Sequence, residues 1–189
     1  MGRKSDEAAQ MLVQHYGIKD QMSAQQFAEQ LTKELEDILD QDKLLPGVEK
    51  LLHHCKQSGI AMGVATSSSG ERFVMKTAKH KELFDEVFDV IVTGDDVTQS
   101  KPHPEIFHRA AQLVMAKRGI QCEDENVLVF EDAVLGVEAG LAANMKVVMV
   151  NDLMSEPPTD CHPHQFLKSM KNFIPEAWGL PAYANEISS

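Results

Sequence analysis

Three polar clusters have residue types and spacing that could do chemistry. They are Thr66 in Val64-Ala65-Thr66-Ser67-Ser68-Ser69, Lys101 in Ser100-Lys101-Pro102-His103-Pro104, and Glu131-Asp132 after Val127-Leu128-Val129-Phe130. The Thr66 hydroxyl, with Ser67 and the N–H groups of the following turn, can cradle phosphate oxygens. A turn of small residues between a strand and a helix would explain the same segment without chemistry. Two prolines stiffen the backbone around Lys101, and a fixed ammonium suits an anionic group. The alternative is a solvated surface lysine. Adjacent carboxylates at Glu131 and Asp132 are costly at the end of a buried strand unless something positive sits there. Magnesium, a hard ion that prefers carboxylate and water oxygens, fits that demand. An acidic N-cap for the next helix is the competing explanation.

These clusters need elements to hold them, and the apolar pattern supplies candidates. The first forty residues read as helices: Ser5 as an N-cap before Asp6 and Glu7, a stop at Gly17, then a Ser23–Gln26 capping box. Phe27, Leu31, Leu35, Ile38 and Leu39 share one face of that second helix, and Asp40-Gln41-Asp42 breaks it. From Pro46, read as the first turn of a helix ending at Gly59, strands and helices alternate. Apolar runs at 60–65, 87–92, 127–130 and 146–150 read as strands. Pro104 opens a helix with Ile106, Phe107, Ala110, Leu113 and Val114 on one side. Short apolar strands separated by helices predict an α/β fold with a parallel sheet and right-handed crossovers. The tail after Asn151 reads as irregular, with Trp178 packing on the core. In such a sheet ligands bind beyond the carboxyl ends of the strands, where each of the three clusters falls.

The bulk numbers narrow the function classes. A chain of 189 residues can bury a core, and 43% apolar with 25% charged residues is ordinary for a globular protein. A formal net charge of -11 argues against a nucleic-acid polymer as partner. No apolar run approaches the ~20 residues of a membrane span. Cys55, Cys122 and Cys161 are odd in number, with no CxxC, and the start lacks a signal-peptide h-region. A cytoplasmic, reducing location is expected.

Taken together, the motifs resemble the haloacid dehalogenase-like hydrolase superfamily. Thr66 matches its hydroxyl-bearing second motif, and Lys101 to Phe107 matches its K-P-x-P-x-x-F third motif. Glu131-Asp132-Ala133-Val134-Leu135-Gly136 matches its acidic fourth motif. Four stretches are similar to the animal pseudouridine-5'-phosphatases: 65–68, 75–82, 129–133 and 178–181. The resemblance implies a Rossmann-like (Rossmannoid) parallel sheet, with residues 1–43 the remnant of a helical cap and 44–189 the α/β core. It implies a magnesium-dependent phosphomonoesterase acting on a small phosphorylated metabolite, pseudouridine 5'-phosphate above others, through a phosphoaspartate. Asp132 would ligate Mg2+ and Glu131 support it through water, while Thr66, Ser67 and Lys101 would hold phosphoryl oxygens.

One part of the pattern is not found. The family's first motif, a buried strand ending in D-x-D-G, has no counterpart, and Asp95-Asp96 lacks its spacing. The central strand and both catalytic aspartates are therefore expected to be missing, as in a truncated or isoform product. Without that strand the core would lose four or five apolar side chains, at ~1.5–3 kcal/mol each, and two neighbours would lose a ladder partner. An inactive phosphate-binding pseudoenzyme is the alternative, with a mutase behind it. A monomer is expected.

Overall fold

The computed structural model describes residues 3–39 and 43–184, with no side-chain description for 3–8, 32, 33 and 35–39. The chain divides into two compact units, Met1–Lys43 and Leu44–Ser189.

The first unit is a helix pair, α1 (Arg3–His15) and α2 (Ala24–Leu39). Helix α1 already runs at Arg3, so Ser5 lies inside it and does not cap it; the side chains of Ser5, Asp6 and Glu7 lie outside the described residues. Gly17 follows at φ 66°, a left-handed turn that side chains with a Cβ resist. The capping box forms as its spacing requires: Ser23 N–H donates to Gln26 Oε1 at 2.9 Å, and Gln26 N–H to Ser23 Oγ at 3.2 Å. Phe27 is half-buried and Leu31 exposed, while the side chains of Leu35, Ile38 and Leu39 and the break at 40–42 lie outside the described residues.

The second unit alternates helix and strand. Helix α3 (Val48–Gln57) buries Leu51 and Cys55, and its N-cap is Gly47 at φ 95°. Pro46 therefore precedes the helix rather than opening it. A Cβ on Gly47 would meet the Met170–Lys171 peptide at 2.5–2.6 Å, so this turn exists only with glycine. Next come β1 (Gly63–Ala65), α4 (Gly70–Thr77), α5 (Lys81–Val87), β2 (Val90–Val92), α6 (Glu105–Arg118), β3 (Leu128–Glu131), α7 (Val134–Ala142), β4 (Lys146–Val150) and β5 (Gln165–Leu167). Two of the expected strands are shorter than their apolar runs. Only Gly63–Ala65 pairs within 60–65, and Val87 closes α5, where the Phe73, Phe84 and Phe88 rings pack. The tail is more regular than expected, since it contains β5.

Every strand pairing is parallel, but the strands form two sheets. One is β1–β2 and the other β3–β4–β5. No described strand lies between β1 and β3, at the place where the resemblance implies a missing central strand. Two apolar clusters cover the two faces. One joins Val92, Ile106, Phe107, Val129, Val137 and Val147, with Ala65 packed against it. The other joins Leu51, Cys55, Val148, Val150, Leu167 and Phe173, with Met62, Leu128 and Trp178 against it. The first cluster thus draws on both sheets, while the second reaches the first sheet only through Met62, just before β1, and hydrophobic burial holds together what no ladder joins. Trp178 packs on the core as expected, its indole N–H donating to Gln165 Oε1 at 3.0 Å.

Candidate phosphate and metal site

Thr66 follows the last residue of β1, and its N–H donates to Val92 O at 2.9 Å, carrying the ladder one step past the strand. Its hydroxyl accepts the Ser68 N–H at 3.2 Å, which curls the chain back over the strand end. Ser69 caps α4 by accepting from Arg72 N–H. The turn is laced to the loop after β2: Gly94 N–H donates to Ser68 O at 2.8 Å, and Gly70 N–H to Asp95 Oδ2 at 2.9 Å. A Cβ on Gly94 would stand 2.6 Å from Ser67 O, so only glycine permits this approach. Thr93, 8% exposed, and Asp96 form a second capping box. The Thr93 N–H and the Thr93 hydroxyl both donate to Asp96 Oδ2 at 2.8 Å, and these bonds, the backbone one first, hold the Asp96 carboxyl below its usual range. Both aspartates of the Asp95-Asp96 pair are therefore engaged in building the loop. Ser67 is exposed, and its N–H makes no hydrogen bond to a described residue.

Lys101 is held in place from both sides. Glu105, the first residue of α6, accepts from Thr98 N–H, Thr98 Oγ1 and Gln99 N–H, all at 2.9 Å. These bonds fix the loop and lower the Glu105 pKa, the Thr98 N–H contributing most. The Lys101–Pro102 peptide is cis. From this loop the lysine crosses to the strand ends: Nζ donates to Ala65 O at 3.1 Å and pairs with Glu131 Oε1. Its ammonium also lies 4.6 Å from the centre of the Phe107 ring. The paired side chains are 10% and 9% exposed, which rules out a solvated surface lysine.

Glu131 is the last residue of β3 and Asp132 the next. Glu131 gives one oxygen to Lys101 and accepts the Asp132 N–H with the other at 3.3 Å. It lies so close to α7 that a Cβ on Gly136 would overlap its carboxylate. Helix α7 takes Ala133 as N-cap with no side-chain cap, so Asp132 is not an acidic cap. Asn151, after β4, donates to Asp132 O at 3.0 Å and accepts the N–H groups of Leu153 and Met154 at 3.0 and 3.1 Å. The Asp132 carboxylate is exposed and has no partner among the described residues.

The structure thus joins the end of β1, Lys101 and Glu131, with Asp132 adjacent. It records no contact linking Ser67 to the others. Sequence reasoning missed Glu105, which braces the loop just before its own helix, and Gly94 and Asn151, which bond backbone groups distant in the chain and leave no periodic mark. Among the described residues, no group of three or more His, Cys, Asp or Glu side chains could hold a metal. Two carboxylates, one without a partner, still fit magnesium, which is commonly bound through one or two carboxylates with water and substrate phosphate. Among the described residues no helix is long and apolar enough to cross a membrane.

Comparison with known proteins places this geometry. The Haloacid dehalogenase-like hydrolase family profile matches residues 3–150. The chain is 38% identical over 185 residues to "(DL)-glycerol-3-phosphatase 1, mitochondrial" of Arabidopsis thaliana, covering 97% of this chain and 61% of that one. It is 36% identical over 189 residues to "Probable pseudouridine-5'-phosphatase" of Drosophila melanogaster, covering 98% and 78%. The chain therefore spans about three-fifths to four-fifths of the length of these relatives. Among solved structures, the HAD-hydrolase YfnB from Bacillus subtilis, bound to magnesium, superposes with a TM-score of 0.68 at 18% identity. That match covers 90% of this chain and 71% of that one, and at such identity it shows the fold alone. The parallel α/β architecture expected from the motifs is borne out, and the chain belongs to the haloacid dehalogenase-like hydrolase family.

Proposed function

We propose that this chain carries the phosphoryl- and metal-holding part of a magnesium-dependent phosphomonoesterase for small phosphorylated metabolites, with pseudouridine 5'-phosphate the favoured substrate. The observation that carries the reading is Lys101, drawn from solvent to the meeting point of two strand ends beside a carboxylate pair. A lysine held there gives a fixed positive charge for phosphoryl oxygens. The Thr66 hydroxyl and the free Ser67 N–H add donors from the opposite strand end. Asp132, with its main chain held by Asn151, is the residue to hold Mg2+, and Glu131 stands beside it. Bound there, the ion would neutralise phosphate charge and polarise the phosphoryl group. The relatives' printed names, a glycerol-3-phosphatase and a pseudouridine-5'-phosphatase, support a small phosphomonoester as substrate.

The overall reaction converts a phosphomonoester and water to an alcohol and inorganic phosphate. In the phosphoaspartate route a carboxylate attacks phosphorus, the alcohol leaves with a proton, and water then releases phosphate. None of the site's aspartates is placed for the attack, since Asp95 and Asp96 are engaged in the loop and Asp132 is the metal residue. That observation favours a second reading, in which these residues bind phosphate and magnesium without turnover. Three free cysteines among the described residues support a cytoplasmic setting. We take the unit of function to be the monomer.

Calorimetry with pseudouridine 5'-phosphate tests the site, with and without Mg2+. The expected result is Mg2+-dependent binding that Lys101→Met and Thr66→Val each weaken at least about tenfold, the loss of one charge-assisted contact. Binding indifferent to Mg2+ or to both substitutions would refute the reading. Release of inorganic phosphate separates turnover from binding alone.

A further inference from the structure

We propose that Lys76, on α4, recognises the part of the substrate carried next to the phosphoryl group and selects for carbonyl or hydroxyl oxygens there. The assignment rests on the phosphate site proposed above and names what that site reads beyond phosphate.

Position gives the first argument. The Lys76 ammonium donates to Ser68 Oγ at 3.2 Å, eight residues back along the chain. Helical side chains lean toward the N-terminus of their helix, so a lysine in the last turn of α4 reaches back to the turn that starts it. Ser68 N–H is bonded to Thr66 Oγ1, and the Ser67 N–H between them makes no bond to a described residue. Ser67 and Ser68 are one residue apart, about 3.8 Å from Cα to Cα. A phosphoryl group seated on the Thr66 hydroxyl and the Ser67 N–H therefore leaves the ammonium to atoms about two or three bonds further into the substrate.

Charge gives the second. Lys101 shares its charge with Glu131, and that pair is neutral as a whole. Lys76 has no carboxylate partner among the described residues. Arg72, four residues earlier on the same helix, carries a like charge, so no helical ion pair holds the lysine in place. Asp95, the carboxylate that meets the start of α4, bonds the Gly70 N–H and not Lys76. The ammonium is thus an exposed cation whose contact is a hydroxyl of the phosphate turn.

Donor count gives the third. An ammonium has three N–H donors and no acceptor. One is used on Ser68 Oγ, and two remain for acceptor oxygens of a ligand. A charge-assisted bond is roughly twice as strong as a neutral one, enough to tell an oxygen-bearing substituent from an alkyl one. Pseudouridine 5'-phosphate presents ring carbonyls and sugar hydroxyls next to its phosphate, and ethyl phosphate presents neither.

Calorimetry of the whole chain with Mg2+ compares three probes: inorganic phosphate, ethyl phosphate and pseudouridine 5'-phosphate. The wild type binds the last most tightly. Lys76→Met lowers affinity for pseudouridine 5'-phosphate at least about tenfold and leaves the other two within about twofold. A melt that matches the wild type shows the variant folded, as expected for an exposed side chain. Lys101→Met weakens all three, because it removes a contact to the phosphoryl group they share. Equal loss on all three probes in Lys76→Met would make Lys76 a brace of the turn, and no loss on any would make it a solvated lysine. Equal wild-type affinity for ethyl phosphate and pseudouridine 5'-phosphate would leave it nothing to select. Each of these overturns the proposal. If Lys76→Met is silent while Lys101→Met is not, the phosphate site stands without this residue. If the wild type binds no inorganic phosphate, the phosphate site fails and the assignment falls with it.

Discussion

Replacing Lys101 by methionine removes the ammonium and keeps the side-chain volume. Glu131 then loses its cation at 9% exposure, and Ala65 O loses its donor. Breaking a buried ion pair by deleting one partner costs ~3–5 kcal/mol, chiefly because a charge is left uncompensated. This pair stands at a site mouth, so the lower figure is appropriate, at about 3 kcal/mol. For a domain of this size each kcal/mol lowers Tm by roughly 2–4 °C, which gives a fall of about 6–12 °C. The double variant Lys101→Met/Glu131→Gln removes both charges and recovers at least about half of that loss. Denaturant melts of the wild type, both single variants and the double variant form a closed cycle. If Lys101→Met costs less than about 1 kcal/mol, or if the single effects simply add, the pair behaves like a surface ion pair. Lys101 would then not hold the end of β1 to the end of β3.

Other consequences follow from side chains that buttress the site. Gly136→Ala drives a methyl group into the Glu131 carboxylate, and the expected cost is about 1–3 kcal/mol in a melt together with weaker Mg2+ binding by calorimetry. Asn151→Ala frees the Asp132 carbonyl; Mg2+ affinity should fall roughly tenfold, as for lost ligand-orienting partners, while phosphate binding without metal is unchanged. Asp96 and Glu105 have lowered pKa values, so the stability they contribute is present above the unfolded carboxylate range and lost as pH falls through their folded values. Asp96→Asn should therefore flatten the pH dependence of Tm below about pH 4 and leave its slope near pH 7 unchanged. Burial first, then Lys146, lowers the pKa of His164, whose Nδ1 accepts the Val147 N–H. Its contribution is present above about pH 6.5 and lost as pH falls below that; His164→Gln should remove this step from a pH series of melts.

Much of the site was legible because Thr66 and Glu131-Asp132 close apolar runs, Lys101 sits in a proline-stiffened loop before a helix, and strand ends face one way in a parallel sheet. On those grounds Thr66, Lys101 and Glu131-Asp132 could be placed at one mouth. The separation of β1 from β3 was legible too, from a motif the chain does not display. The fifth strand was not: Gln165–Leu167 is three residues long, follows a proline-rich stretch, and owes its form to the ready edge of β4. Val87 looked like a strand residue because β-branched residues favour strands, yet the aromatic packing of the preceding turns keeps it helical. Pro46 looked like a helix start, but the Gly47 turn against Met170–Lys171 delays the helix by two residues. Glu105 and Asn151 were out of reach, since a carboxylate or amide that braces a loop has the same composition as one that faces water.

The hydroxyl turn after β1 is stitched to the β2 loop, while the carboxylates ride on β3 with Asn151 and Gly136 behind them. The donors and the acids are therefore the two jaws of a caliper, each stiff within itself, with Lys101 as the pin across the gap. The opening of such a tool is set at its hinge and not on its faces. Apolar packing between the sheets, far from any reacting atom, can thus widen or narrow the bite without changing a single residue that touches the ligand.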